Sequence, residues 1–105
     1  MKINFSVTNS AVEAYKQKVI PDEKRMDSDK RIRAIIICSC RASSTYSKLE
    51  QLGIDESLEA DIELIDERRR HSFGRYRLRI IKEKKINPQG GNKGPYIAVT
   101  RLYST

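Results

Sequence analysis

Apolar and polar positions along the chain change period several times, and each change marks an expected element. Ile3, Phe5 and Val7 alternate with polar neighbours, which predicts a first strand over 2–7. Val12, Tyr15 and Val19 then recur at helical spacing. Ser10 with Glu13 has the form of a capping box, in which each side chain satisfies the other residue's free backbone N–H. Pro21 cannot continue the hydrogen-bond ladder, so the helix is expected over 11–20. PDEKRMDSDK is a polar connection with room for one more helical turn. RIRAIIICSCRA, residues 31–42, is β-branched at its centre and apolar on both faces, which predicts a central strand covered on two sides. SSTYSKLEQLG reads as a short helix, with Ser47 and Glu50 as a second capping box, Tyr46, Leu49 and Leu52 as a stripe, and Gly53 as a stop.

DESLEADIELIDE, residues 55–67, fits two patterns. As a strand it turns Leu58, Ala60, Ile62 and Leu64 one way and Glu59, Asp61 and Glu63 the other. As a helix it lines up Leu58, Ile62 and Ile65, with acids early and arginines late, as the helix dipole prefers. We take the strand, with the helix left open. Tyr76–Lys82 is a strand, with Tyr76, Leu78 and Ile80 inward and Arg75, Arg77 and Arg79 outward. INPQGGNKGP is a flexible loop by composition, and Tyr96–Tyr103 forms a last strand. The expected fold is a single α+β domain over 1–105, ordered β-α-β-α-β-β-β. A mostly antiparallel sheet of four or five strands packs against two short helices. If Tyr96–Tyr103 lies at an edge, it offers a route to a homodimer.

A hairpin with its turn centred near Arg70 pairs residues whose numbers sum to 140. Glu63 then faces Arg77 and Asp61 faces Arg79, while Leu64 meets Tyr76 and Ile62 meets Leu78. Each opposite-charge pair contributes only about 0.2–1 kcal/mol, but the pairing gives both arginines a structural purpose.

Charge then changes the picture. Of 105 residues, 38% are hydrophobic and 33% charged, which suits a folded soluble chain. Residues 1–65 carry ten Lys/Arg and eleven Asp/Glu, whereas 66–105 carry eleven and three, a balance of +8. MKINFSVTNS lacks the apolar region of a secretory signal, and the longest apolar run, Ala34–Cys38, is too short to cross a bilayer. A cytoplasmic protein without a membrane role is expected.

The cations left over by the hairpin pairing are the candidate binding residues. Arg68, Arg69, Arg70 and His71 sit at the hairpin tip near only Asp66 and Glu67, and Arg75 lies just inside it. Lys82, Lys84, Lys85 and Lys93 share one acid, Glu83. Clustered cations repel one another, and a phosphate backbone relieves that repulsion while releasing counterions. Arginine adds forked contacts to phosphate, and Phe73 offers a ring for base stacking.

Other motifs point to structure. Cys38 and Cys40, two apart on one face of the expected strand, are poorly placed for a disulfide and too few for a metal site, and read as buried small residues. GGNKG lacks the Ser or Thr and the helix of a phosphate-binding P-loop. It also fits the GxxG of KH domains, but strands rather than helices flank it. His71 is the one candidate imidazole base, with no nucleophile or paired carboxylates readable around it. No cofactor or metal is expected.

GRYRLRIIKE followed by YIAVTRLYST resembles the C-terminal sheet of RelE/ParE-type toxins, small basic proteins with a G-x-Y-R-x-R strand and a late Arg and Tyr. The resemblance covers about a third of the chain. It implies that Arg77, Arg79, Arg101 and Tyr103 bind and polarise a scissile RNA phosphate, as in the ribonuclease members. It also implies two helices directly after the first strand, where this chain reads as a helix followed by the apolar strand of 32–40.

Three functions follow as expectations. The first is a non-catalytic nucleic-acid-binding module that uses the tip and the lysines. The second is a protein-binding inhibitor or regulatory factor acting on a nucleic-acid-binding machine, of the kind a phage or mobile element encodes, with the acidic segment 55–67 as part of its surface. The third is the metal-independent ribonuclease of the resemblance.

Overall fold

The computed structural model describes residues 4–19, 28–83 and 96–104. Strand β1 (Asn4–Val7) is followed by helices α1 (Asn9–Lys18), α2 (Asp29–Ala42) and the short α3 (Tyr46–Glu50). Strands β2 (Ser57–Asp66), β3 (His71–Glu83) and β4 (Tyr96–Ser104) complete one sheet in the order β1-β4-β3-β2. β1 runs parallel to β4, and the other neighbours are antiparallel. α1 lies against β4, and α2 against β2 and β1. The α+β class is as expected, and 57–66 is a strand. β4 is not at an edge, because β1 and β3 flank its first half.

The largest departure is residues 31–42, expected as a central strand and found inside α2. Its buried residues are Ile32, Ile35, Ile36, Ser39 and Cys40, the i, i+3, i+4, i+7, i+8 stripe of a helix face. Arg33, Ala34, Ile37 and Cys38 fall on its wetter side. Three consecutive isoleucines hid this period, since an apolar run does not by itself separate a buried strand from a helix. Ser28 supplies the start signal: its Oγ accepts from the Arg31 N–H at 3.2 Å. Asp29 in the first turn and Arg41 in the last suit the dipole.

Both expected capping boxes are replaced. α1 begins after Thr8, whose Oγ1 accepts from the Ala11 N–H at 3.3 Å, so Ser10 lies within the helix. Thr8 is better placed because its backbone N–H also closes the sheet, donating to Val99 O at 3.0 Å. α3 starts after Thr45 without a side-chain cap, with Ser47 inside it.

One core fills the space between helices and sheet. Tyr15, Ile32, Ile36, Leu49, Ile62, Leu64, Leu78, Ile80, Ile97 and Leu102 are all fully buried, and each such side chain contributes roughly 1.5–3 kcal/mol.

The β2–β3 hairpin differs from the expected register by two residues. Asp61 faces Arg77, Glu59 faces Arg79 and Glu63 faces Arg75, while Ile62 meets Tyr76 and Ala60 meets Leu78. An even slip keeps every side chain on its expected face. The cause is the turn. Asp66 Oδ1 accepts from the backbone N–H groups of Arg68 and Arg69 (3.2 and 3.4 Å), which centres the turn ahead of Arg70. The register then shifts between Leu64 and Ile65, where Gly74 takes a φ of 92° that a side chain would resist.

The two cysteines, expected to be buried together, part company on a helix. Cys38 is exposed and Cys40 buried, and burial pushes the Cys40 thiol up to about 12. A maleimide probe is therefore expected to modify one thiol in the native protein, at Cys38, and the second only after unfolding. Mass spectrometry of the labelled peptides checks this; equal native labelling of both would argue against the helix.

Candidate nucleic-acid interface

With the helices on one face of the sheet, charged side chains cover the other. β2 contributes Glu59, Asp61 and Glu63, β3 contributes Arg79, Arg77 and Arg75, and β4 contributes Arg101 and Tyr103. The rows read Asp61–Arg77–Tyr103 and Glu59–Arg79–Arg101 across the three strands.

The two rows differ in charge. Arg77 Nε lies 3.2 Å from Asp61 Oδ1, both side chains being about half exposed, and that hydrogen bond keeps the guanidinium more firmly protonated than usual. Arg77 is thus held structurally, as the hairpin pattern implied, though by Asp61 instead of Glu63. Arg79 and Arg101 face each other directly and have no ion pair among the described residues. Like charges placed opposite on neighbouring strands destabilise the pair. An anion between them reverses the sign of that interaction. Thr100 sits in a register irregularity beside them, its Oγ1 donating to Arg79 O at 3.3 Å.

A groove of about 570 Å3 runs between α1 and the second half of β4, lined by Ser10, Ala14, Lys18, Thr100, Arg101 and Tyr103 among others, with no acid among the described residues that line it. It adds Lys18 to the cations near Arg101. A second groove, about 550 Å3, lies between α2 and the hairpin tip, where Lys30, Arg31 and Arg68 mix with Asp66 and Glu67.

At the tip, the cluster expected from the sequence divides. Arg68, Arg70 and His71 are exposed. Arg69 is exposed too, but its Nε lies 3.5 Å from Asp66 Oδ2. Arg70 holds a left-handed backbone at φ 50°, a conformation that costs an L-residue roughly 1–2 kcal/mol. Phe73 does not project with the arginines as a stacking ring. It packs against the core, edge-on to Tyr15 with centroids 6.0 Å apart, and His71 sits edge-on to it at 4.7 Å. Arg75 is exposed opposite Glu63, and Lys82 is half-buried in β3. Lys84, Lys85, Lys93 and the GGNKG loop lie outside the described residues. Among the described residues no group of three or more His, Cys, Asp or Glu side chains is placed to hold a metal ion.

The organising residue of the tip was not anticipated. Asp66 is 2% exposed, and Arg31 Nη2 reaches both of its oxygens, at 2.8 and 2.7 Å. Burial pushes its carboxyl up, but the hydrogen bonds from Arg31 and the Arg69 amide, with the charges of both arginines, outweigh this and leave it below the usual carboxylate range. The one sequence signal was an acid ending a strand before a turn, a position where Asp commonly bonds backbone two or three residues on.

No protein-family model matches the chain, and no curated protein or solved structure matches it significantly. Among the described residues, no helix is long and apolar enough to cross a membrane. What fold and site define is a small α+β protein with an arginine-faced sheet.

Replacing Asp66 by Asn removes the carboxylate charge that Arg31 Nη2 meets at 2.7 Å, and is expected to cost about 3 kcal/mol at neutral pH. The folded Asp66 value lies below the ordinary 3.8, so the unfolded chain protonates first. The stabilisation is complete above that value and is lost as pH falls through the folded one. Urea titrations of wild type and Asp66→Asn should therefore converge as pH drops from about 5 to about 2. A constant gap would exclude the ion pair as its source.

Proposed function

We propose that the protein is a cytoplasmic nucleic-acid-binding module whose phosphate contacts centre on Arg79 and Arg101, with Arg68 and Arg70 extending them to the tip. The observation that carries this reading is the direct opposition of Arg79 and Arg101 on adjacent strands, with neither in an ion pair among the described residues although Glu59 lies across from Arg79. Two exposed guanidiniums held in register form a ready clamp for one phosphate, and each can donate in a fork. The groove beside Arg101, which has no acid among its described lining residues, and the left-handed Arg70 backbone support it. A strained non-glycine residue at an exposed tip is a motive for seeking function there. Fluorescence anisotropy with short single- and double-stranded DNA and RNA tests it between about 50 and 200 mM salt. The Arg79→Ala/Arg101→Ala variant should bind at least about tenfold more weakly, with a log–log salt slope shallower by about 0.8, one phosphate contact's worth. Absence of binding at the lowest salt would remove the reading.

A second reading is favoured by one specific arrangement. Two helices, α1 and α2, directly follow β1, as the resemblance to RelE/ParE-type toxins implies, and β3 and β4 bring Arg77, Arg79, Arg101 and Tyr103 onto one face. In a metal-independent ribonuclease these arginines would polarise a scissile phosphate. Incubation with RNA, alone and with translating ribosomes, should then give cleavage that Arg79→Ala and Tyr103→Phe each reduce at least about 100-fold, with circular dichroism unchanged. Intact RNA under both conditions would sink it.

A further inference from the structure

The edge of β2 has no role in either reading. β2 is the outermost strand of the sheet, and among the described residues it pairs with β3 alone. Lys82 N–H donates to Glu56 O at 3.0 Å, so Glu56 and the even-numbered residues after it turn their backbone groups toward β3. Odd-numbered residues must point theirs the other way. At the far end this is visible, because the Ile65 N–H leaves the sheet to meet Ser39 Oγ of α2 at 3.0 Å. Between these ends, Ser57, Glu59, Asp61 and Glu63 direct N–H and C=O groups at a free edge with which no described residue pairs. All four side chains are exposed.

An open edge is a template for another strand, and charge selects which strand it accepts. A second copy pairing through β2 would set Glu59, Asp61 and Glu63 against the same acids, and like charges opposite each other destabilise. A basic strand meets the reverse condition. The chain itself contains the precedent, since Arg75, Arg77 and Arg79 of β3 already face these three acids from the inner side. The acids retain capacity: Glu59 has no ion pair among the described residues, Glu63 accepts the Ser72 hydroxyl at 2.6 Å, and Asp61 holds one arginine.

We propose that the Ser57–Glu63 edge of β2 docks an extended basic segment of a partner protein, which adds as a fifth strand with Lys or Arg at alternate positions facing Glu59, Asp61 and Glu63. Main-chain bonds supply attachment and the acidic row supplies selectivity. The docking is independent of the nucleic-acid reading, because Arg79 and Arg101 lie one and two strands away from the edge.

A fluorescein-labelled seven-residue peptide alternating Lys with Thr tests this on the full chain, beside a counterpart carrying Glu in place of Lys. The expected result is salt-sensitive binding of the basic peptide alone. On binding, the amides of Glu59, Asp61 and Glu63 should slow in hydrogen exchange. Glu59→Pro removes an edge-directed N–H without touching the β3 ladder and should weaken binding at least about tenfold. Glu59→Lys should do the same through charge, and it decides the matter with the wild-type exchange data if the proline variant fails to fold by circular dichroism. Oligonucleotide affinity, read in Glu59→Lys, should stay equal or rise, so failure of one reading is distinguishable from failure of the other. No binding, equal binding of the acidic peptide, binding without amide protection, or dimerisation through this edge would each overturn the proposal.

Discussion

Asp66 holds together parts of the chain that would otherwise be independent. It is a buried carboxylate facing Arg31 of α2, and it also accepts from the first amides of the hairpin turn. Removing two charges from water costs several kcal/mol per ion, so such a pair survives only where geometry satisfies both partners. Here the cost buys position. α2 is set over β2, the turn is centred ahead of Arg70, and the register of β3 against β2 follows from that turn. The Arg79–Arg101 opposition depends in turn on where β3 sits. Ser39 repeats the arrangement without charge, with its Oγ bonded to Ile35 O and to the Ile65 amide.

How legible this was in the sequence depended on whether one face of each element meets water. β2 and β3 alternate apolar and charged residues, so strand identity and facing could be read from Leu58–Leu64 and Tyr76–Ile80. α2 could not be read that way. Ile35, Ile36 and Ile37 are contiguous, and the polar residue on the buried stripe, Ser39, masks the helical period. The register was lost by two residues because it rests on Asp66 side-chain bonds that no periodicity reveals. Arg79 and Arg101 were visible singly, within the pattern resembling a toxin sheet. Their opposition was not, since it needs both the hairpin turn and the irregularity at Thr100. Phe73 looked like a free ring because the register shift that turns it toward Tyr15 is a feature of pairing.

The sheet's outer face sorts its charges by strand. Acids on β2 and cations on β3 partly cancel, leaving the surplus positive charge toward β4. A solvent-exposed pair such as Asp61–Arg77 adds little to stability, so its main effect lies in shaping the field. A partner of either sign approaching this face meets a gradient: acidic at the β2 edge, basic near Arg101 and Lys18.

The parallel pairing of β1 with β4 has a consequence for how the chain reaches this fold. β1 spans Asn4–Val7, yet its neighbour is Tyr96–Val99, so the two halves of that contact are separated by nearly the whole sequence. The β2–β3 hairpin can form from local contacts, and α1 and α2 from their own caps. The strand that joins them is made after all the others. During synthesis, therefore, β1 and the apolar faces of α1 and α2 wait without the strand that covers them. Such long-range closure slows folding and exposes hydrophobic surface meanwhile. The core closes only when the ribosome has delivered β4.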